Sequence, residues 1–370
     1  RIYARGFTTL LRRSNMEPVQ SSRVLKAIQH WASSTPESVA FRSDGEELTY
    51  GALWPKIESI SNRWQQDQIH VAGLAIDNGI AWCLADLAAI HAKIVLVPLP
   101  PFFTQGQSEH ALSTTGADAI IRFTNDWQIE RVRHAKATLH PDTAKVTFTS
   151  GTTGTPKGVC LSQNGMEAVS ESLLQAIGPE NARRHLAVLP LAILLENIAG
   201  LYTTLMAGGC YHVEPAHKLG FQGMHLHGAS LVRHLESTEA TSTILVPEYA
   251  QSLITACRNN QPSLAHLKFV AVGGAKVSTK LLSEACEVGL PLYQGYGLSE
   301  SASVVAVNTP ANQKEGSVGK LLPHIDATIS AEGELVLMNP ALLGYVGLPA
   351  QQGAYGTGDI VRIDEEGFLF

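Results

Sequence analysis

Apolar residues recur at helical spacing in two segments near the start of the chain. The first covers residues 24–31, and the second places Leu53, Ile57, Ile60 and Trp64 three or four residues apart. This spacing puts the apolar side chains on one face of a helix. We therefore expect two helices that lie on a core and bury that face.

Short apolar runs then alternate with helical patterns through the middle of the chain. The predicted strands are 73–76, 94–99, 119–123, 146–149, 186–189, 243–246 and 269–272. Strands that alternate with helices are typical of a mostly parallel sheet covered by helices. The hydroxyl of Ser278 is a candidate N-cap for a further helix. The middle of the chain is therefore predicted to be α/β.

The pattern changes after residue 315 to short strands and turns. The predicted strands are 327–329, 334–337, 360–363 and 368–370, with Gly333 and Gly367 in the turns between them. A chain of 370 residues also exceeds one ordinary core. We expect paired α/β subdomains over residues 16–315 and a small β-rich unit over residues 316–370.

The first fifteen residues are basic and contain no acidic residue. This composition is compatible with an organelle-targeting peptide or with an expression leader. Met16 stands shortly before the first patterned segment. We favour a leader over residues 1–15 and a native start at Met16.

Charge and composition narrow the function classes. The formal net charge is −6, from 27 basic and 33 acidic residues, so no broad positive field attracts nucleic acid. No apolar stretch approaches the roughly 20 residues of a spanning helix. Five dispersed cysteines form no C-x-x-C pair, which favours a reduced, cytoplasmic setting.

The most informative segment is TFTSGTTGTPKGV, residues 147–159, which follows a predicted strand. Its glycines permit sharp turns, its hydroxyls and backbone N–H groups donate to anions, and Lys157 adds a positive charge. A Walker loop instead places Gly-Lys-Ser/Thr at the start of a helix, whereas Lys157 lies between Pro156 and Gly158. The segment predicts a phosphate loop of another class.

Three further motif segments follow in order along the chain. A glycine turn reads Gly273-Gly274-Ala275, an aromatic and acidic segment reads YQGYGLSE at 293–300, and YGTGD stands at 355–359. Each alone is compatible with a turn or a packed aromatic residue. The order of all four segments favours a nucleotide site.

Together these segments resemble the signatures of the adenylate-forming superfamily of acyl-CoA synthetases, nonribosomal-peptide adenylation domains and luciferases. The resemblance extends over essentially the whole chain after the first fifteen residues. It implies two α/β subdomains with mostly parallel sheets in a layered αβαβα arrangement, followed by a small distorted β-barrel subdomain.

The resemblance also implies roles for particular residues. The expected ATP-binding residues are Thr149, Ser150, Gly151, Thr152, Thr153, Gly154, Gly273, Gly274, Ala275, Gln294, Gly295, Tyr296, Gly297, Ser299 and Asp359. Tyr296 would stack on adenine and Asp359 would bind the ribose hydroxyls. Thr149, Lys157 and Glu300 are the expected catalytic residues, and Glu300 is the expected Mg²⁺ ligand.

The implied reaction is ATP-dependent conversion of a carboxylic acid to acyl-AMP with release of pyrophosphate, followed by thioester formation with CoA. Ile193, Gly273, Gly295 and Val304 are the expected substrate contacts. Many relatives carry an aromatic residue or His where this chain has Ile193, which favours an aliphatic acid. The segments at 97–103 and 189–196 look most like bacterial fatty-acyl-CoA synthetases.

Two alternatives stay open at this point. A fatty-acyl-AMP ligase would pass the acyl group to a carrier protein, and a noncatalytic relative would bind adenylates without reacting. Members of the superfamily continue into a hinge and a mobile C-terminal domain, which is absent from this sequence. We therefore expect this chain to form adenylate poorly and to fail in thioester formation.

Overall fold

The computed structural model describes residues 22–149 and 156–370. The α-helices within these ranges are α1 Arg23–Ser34, α2 Tyr50–Gln66, α3 Ile80–Ala92, α4 Gln105–Thr115, α5 Gln163–Ile177, α6 Thr203–Met206, α7 Ala216–Leu219, α8 Gly228–Ser237, α9 Pro247–Asn260 and α10 Thr279–Glu287. A π-helical segment, Leu195–Tyr202, precedes α6, and a short 3₁₀ helix covers Ser299–Ser301.

The strands are short and are distributed over the whole described chain. They are β1 Val39–Ser43, β2 Glu46–Thr49, β3 Val71–Leu74, β4 Val95–Pro98, β5 Ala119–Phe123, β6 Trp127–Arg131, β7 Thr143–Thr149, β8 Lys157–Ser162, β9 Arg184–Ala187, β10 Cys210–Val213, β11 Phe221–Gln222, β12 His225–Leu226, β13 Ser242–Leu245, β14 Phe269–Val272, β15 Leu292–Leu298, β16 Ser303–Val307, β17 Gly319–Leu321, β18 Ala327–Ile329, β19 Glu334–Leu337, β20 Leu342–Tyr345, β21 Tyr355–Ile360 and β22 Phe368–Leu369.

Local sequence signals account for the helices that were predicted. Helix α2 buries the predicted residues Leu53, Ile57, Ile60 and Trp64 on one face. Helix α10 begins after Ser278, whose hydroxyl accepts a hydrogen bond from the backbone N–H three residues later, at 3.2 Å. Such a cap satisfies one of the free N–H groups of the first turn. Both expectations are confirmed.

Two large sheets organise the molecule. One has the strand order β20-β8-β7-β4-β3-β5-β6, and the other has the order β2-β1-β10-β9-β13-β14-β15-β16-β17-β22. Strands β5, β3, β4 and β7 are parallel to one another, as are β1, β10, β9, β13, β14 and β15. Antiparallel strands extend the edges of both sheets.

Helices cover both sheets and fill the space between them. The largest apolar cluster joins residues of α1, α2, α3, α5 and the π-helical segment to the inner faces of the two sheets. A second cluster packs α8, α9 and α10 on the outer face of the ten-stranded sheet, and a third packs α4 on the seven-stranded sheet. The predicted α/β architecture with layers αβαβα is confirmed.

The C-terminal strands are shared among three sheets. Strands β17 and β22 extend the ten-stranded sheet, β20 extends the seven-stranded sheet, and β18, β19 and β21 form an open three-stranded antiparallel sheet. The predicted strand 360–363 is wrong, because pairing with β19 draws residues 355–360 into β21 despite their glycines. The boundary expected at residue 316 stays a prediction.

Among the described residues, no helix combines the length and the apolar character needed to cross a membrane.

Candidate functional site

The predicted phosphate loop connects two antiparallel strands, β7 and β8. Strand β7 ends at Thr149 and β8 begins at Lys157, and these two residues face each other in the ladder. The predicted site residues Ser150, Gly151, Thr152, Thr153 and Gly154 lie outside the described residues. Because a strand rather than a helix follows the segment, the connection differs from a Walker loop, as the sequence predicted.

The glycine turn lies beside the aromatic segment at the end of β14. Strand β14 pairs with β15 so that Val272 faces Gln294. A Cβ on the buried Gly273 would lie 3.2 Å from the carbonyl oxygen of Gly295, which makes a larger residue there difficult to place. The next residue, Gly274, has φ +75°, a conformation that favours glycine. The glycine turn and the aromatic segment, which are separate in sequence, therefore lie side by side on the neighbouring strands β14 and β15.

Tyr296 and Asp359 are joined directly. The phenol of Tyr296 donates a hydrogen bond of 2.6 Å to the carboxylate of Asp359, across 63 residues of sequence. Burial, followed by the hydrogen bond to Asp359, raises the pKa of Tyr296 well above its usual range. The phenol therefore stays protonated and holds the exposed carboxylate beside the aromatic ring.

Glu300 has a comparable partner in Tyr345. The Tyr345 phenol donates a 2.8 Å hydrogen bond to Oε1 of Glu300 and lies 3.3 Å from the Tyr355 hydroxyl. Burial, followed by the hydrogen bonds to Tyr355 and Glu300, raises the pKa of Tyr345. Lys157 is exposed, and its Nζ lies 5.6 Å from the centre of the Tyr345 ring. Tyr345 thus connects two residues predicted to be catalytic.

A cavity of about 750 Å³ runs from these motifs into the molecule. The predicted site residues that line it are Thr149, Ile193, Gly273, Gly274, Gly295, Tyr296, Gly297, Ser299 and Val304. Ala275 is exposed in the turn after β14, and Gln294 is half-buried within β15. Asp359 and Glu300 do not line the cavity themselves, but Asp359 is hydrogen-bonded to the lining residue Tyr296 and Glu300 directly follows the lining residue Ser299. The structure therefore brings most of the described site residues to one place.

The deep part of the cavity lies between the ten-stranded sheet and the inner helices. The sheet contributes Ser242, Ile244, Phe269 and Ala271, and α5 contributes Leu173 and Ile177. The π-helical segment adds Leu195 and Ala199, and α6 adds Thr203 and Thr204. Most of these side chains are apolar, which suits the apolar part of a ligand.

Sequence reasoning missed a buried polar network on the cavity wall. Glu196 accepts hydrogen bonds from Tyr211 at 2.8 Å and from the backbone N–H groups of Val188 and Leu189. Its other contact is His185, which lies on the cavity wall. An acidic residue after a run of apolar residues was the available signal, because a buried charge needs partners.

Known proteins resemble this chain over most of its length. Residues 28–145 and 132–345 match the family model described as AMP-binding enzyme. An indoleacetate–CoA ligase of Aromatoleum aromaticum is 29% identical over 61% of this chain and 46% of its own length. A feruloyl-CoA synthase of an Amycolatopsis species is 24% identical over 91% of this chain and 76% of its own length.

A solved structure confirms the fold independently. The o-succinylbenzoate CoA synthetase of Bacillus subtilis, in complex with its acyl-adenylate intermediate, superimposes with a TM-score of 0.78. It is 20% identical, and the match covers 95% of this chain and 77% of that protein. Because the family model spans well over half of the sequence, the chain belongs to the AMP-binding enzyme family, the adenylate-forming superfamily that its motifs resemble.

Proposed function

We propose that this chain carries the adenylation site of a ligase that activates an aliphatic carboxylic acid, of medium or long chain, with ATP. The observation that carries the proposal is the single cavity that begins at the nucleotide motifs and continues between the sheet and the inner helices. A volume of about 750 Å³ falls within the range of roughly 300–1,000 Å³ that is common for ligand sites.

In the proposed reaction, a carboxylate oxygen of the acid attacks the α-phosphorus of ATP. A new P–O bond forms, the bond to the β-phosphate oxygen breaks, and its electron pair leaves with pyrophosphate. The protein contributes position and charge rather than a nucleophile. Thr149 would donate to phosphate oxygens, and Lys157 would attract the departing pyrophosphate.

The nucleotide would lie across the turn after β14. Tyr296 offers an aromatic face for adenine, and Gly273 leaves room beside it. Asp359 accepts one hydrogen bond from Tyr296 through Oδ2, so its other oxygen is available to a ribose hydroxyl. These contacts support the assignment of the adenosine end.

The residues also fit Mg²⁺, which would neutralise phosphate charge when bound. Glu300 uses Oε1 for Tyr345 and has a second carboxylate oxygen available for a cation. No group of three potential metal ligands occurs among the described residues. A site of one carboxylate completed by phosphate and water oxygens is typical of Mg²⁺.

The acid class and the acceptor are the finer parts of the proposal. Ile193 and the apolar walls support an aliphatic acid, whereas the relatives' names, indoleacetate–CoA ligase and feruloyl-CoA synthase, specify aromatic acids. The same names support CoA as the acceptor over a carrier protein. Both acceptors would supply a thiol that attacks the acyl carbon and releases AMP.

Calorimetric titration with nonhydrolysable acyl-AMP analogues tests the proposal. We expect the oleoyl analogue to bind more tightly than the benzoyl analogue. We expect Asp359→Ala to weaken binding at least tenfold, because hydrogen bonds to charged groups contribute about 1.5–3 kcal/mol. Asp126→Ala, at an exposed turn before β6, is the matched control and should leave binding unchanged.

Two outcomes would contradict the proposal. Tighter binding of the benzoyl analogue would assign an aromatic acid to the cavity. Binding of neither analogue would favour a noncatalytic relative that has lost the site.

A further inference from the structure

Three buried polar side chains form a chain of hydrogen bonds at the deep end of the cavity. Ser242 Oγ lies 2.9 Å from His185 Nδ1, and His185 Nε2 lies 3.0 Å from Glu196 Oε1. Their exposed fractions are 3%, 3% and 0%. Ser242 and His185 both line the cavity, whereas Glu196 lies behind them. An apolar acyl chain alone does not require polar groups at this depth.

In the neutral form of His185, the network determines which ring nitrogen carries the proton. Glu196 is surrounded by donors, namely the Tyr211 phenol and two backbone N–H groups, so its carboxylate acts as the acceptor for His185 Nε2–H as well. With the single proton of the neutral ring on Nε2, Nδ1 of His185 is an acceptor. The Ser242 hydroxyl therefore donates to Nδ1. Its remaining lone pairs are free to accept a hydrogen bond from a ligand in the cavity.

The register of the sheet gives the distance of Ser242 from the glycine turn at Gly273, and therefore its depth in the cavity. Ser242 faces Phe269 in the ladder between β13 and β14, and Gly273 lies four residues farther along the same direction. At roughly 3.3 Å per residue this separation is about 13 Å. An extended hydrocarbon chain covers that distance with about ten carbon atoms.

We propose that Ser242, held by His185 and Glu196, binds a hydroxyl group on the distal part of the acyl chain, so that the substrate is an aliphatic hydroxy acid. This inference rests on the proposed adenylation function. The hydroxyl would lie about ten carbons from the carboxyl group and would donate to Ser242 Oγ. Ser242 is thus a specificity-determining residue, and His185 and Glu196 are positioning residues.

The proton arrangement also predicts which oxygen functions are rejected. A ketone at the same carbon offers only an acceptor, and it would meet the lone pairs of Ser242 without a proton between them. A saturated chain would leave Ser242 with unused hydrogen-bonding capacity beside apolar carbon. Sites that bind a substrate hydroxyl discriminate strongly against analogues that lack it.

The test compares three nonhydrolysable acyl-AMP analogues of equal chain length on this chain by calorimetry. One is saturated, one carries a hydroxyl about ten carbons from the carboxyl, and one carries a ketone there. We expect the hydroxy analogue to bind about tenfold more tightly than the saturated one, and the ketone to gain nothing. Isomers with the hydroxyl nearer to the carboxyl should also gain nothing.

Variants then separate a role in specificity from a role in folding. Ser242→Ala should abolish the tenfold preference for the hydroxy analogue, and Ser242→Thr should restore part of it. Ser170→Ala is the matched control, because Ser170 is equally buried, makes one hydrogen bond of 2.8 Å to Ile198 and lies on α5 away from the cavity lining. It should keep the preference intact.

The ketone comparison uses the unaltered chain, so the test stands even if Ser242→Ala fails to fold. If the saturated analogue binds as tightly as the hydroxy analogue, the inference is wrong while the adenylation proposal stands. If none of the analogues binds, the adenylation proposal itself fails.

Discussion

At the residue scale, the site depends on phenols that hold carboxylates. Tyr296 donates to Asp359, and Tyr345 donates to Glu300. Burial is the first cause that raises the pKa of both phenols, so each keeps its proton throughout the neutral range. Both carboxylates are consequently oriented before any ligand arrives, which reduces the reorganisation that binding requires.

A buried histidine on β10 should make stability depend on pH. Burial lowers the pKa of His212 from 6.5 to about 4, with smaller contributions from Arg42, His185 and Arg184. Between these values the unfolded chain binds a proton that the folded chain excludes, so stability falls as the pH decreases. Over this range the free energy of unfolding falls by about 3 kcal/mol in total.

Urea unfolding between pH 7 and pH 4 measures this effect. We expect His212→Gln to reduce the pH dependence, leaving the part due to His324, whose pKa burial lowers to about 4 as well. His225→Gln alters an exposed residue and should behave like the unaltered chain. Equal pH dependence in both variants would show that His212 does not titrate as stated.

At the element scale, one buried ion pair connects β7 to the inner helices. Lys145 Nζ lies 2.6 Å from Asp86 on α3 and 3.2 Å from the Tyr202 hydroxyl, and it also contacts Asn197. Asn197 and Tyr202 belong to the π-helical segment, which also supplies Glu196 to the cavity wall. The π-helical segment therefore contributes residues to two polar networks. Strand β7, which carries Lys145, ends where the predicted phosphate loop begins.

Removal of one partner from this pair should be strongly destabilising. Lys145→Met leaves Asp86 charged and buried without its counter-ion, and we expect a loss of about 3–5 kcal/mol in the free energy of unfolding. The double variant Lys145→Met with Asp86→Asn should recover part of the loss, because no isolated charge remains. Chemical denaturation measures the free energy of unfolding of the single and the double variant.

Lys280→Met is the matched control for this experiment. Lys280 is exposed and, within residues 22–149 and 156–370, pairs only with Glu284 on the same helix, so its replacement should change stability by less than about 1 kcal/mol. A comparable loss in Lys145→Met and Lys280→Met would contradict the assigned role of the buried pair.

At the scale of the whole molecule, the position of the cavity follows from the layered architecture. Alternate side chains of β14 point to opposite faces of the sheet, so Phe269 and Ala271 face the cavity while Val270 packs against the outer helices. Helix α5 and the π-helical segment form the opposite wall. The proposed acyl site is therefore a gap between two layers.

Narrowing this gap should shorten the acids that the chain accepts. Ala271 lies two residues before Gly273, roughly 7 Å into the cavity. We expect Ala271→Leu to weaken binding of a long-chain acyl-AMP analogue at least tenfold and to spare an analogue of about four carbons. Calorimetry with the two analogues measures the ratio.

Ala52→Leu provides the matched control, since Ala52 is exposed on α2. It should leave the ratio of the two affinities unchanged. Equal weakening of both analogues by Ala271→Leu would indicate general damage rather than a shortened cavity.

The sequence by itself determined the local elements and predicted the chemistry of the motifs. The spacing of Leu53, Ile57 and Trp64 specified helix α2, Ser278 specified the start of helix α10, and the glycine and hydroxyl run before Lys157 predicted an anion loop, because these properties depend on neighbours in sequence. The tertiary structure decided the pairings between distant residues. Tyr345 with Glu300, and Ser242 with His185 and Glu196, are brought together by sheet register and layer packing, which no local pattern encodes.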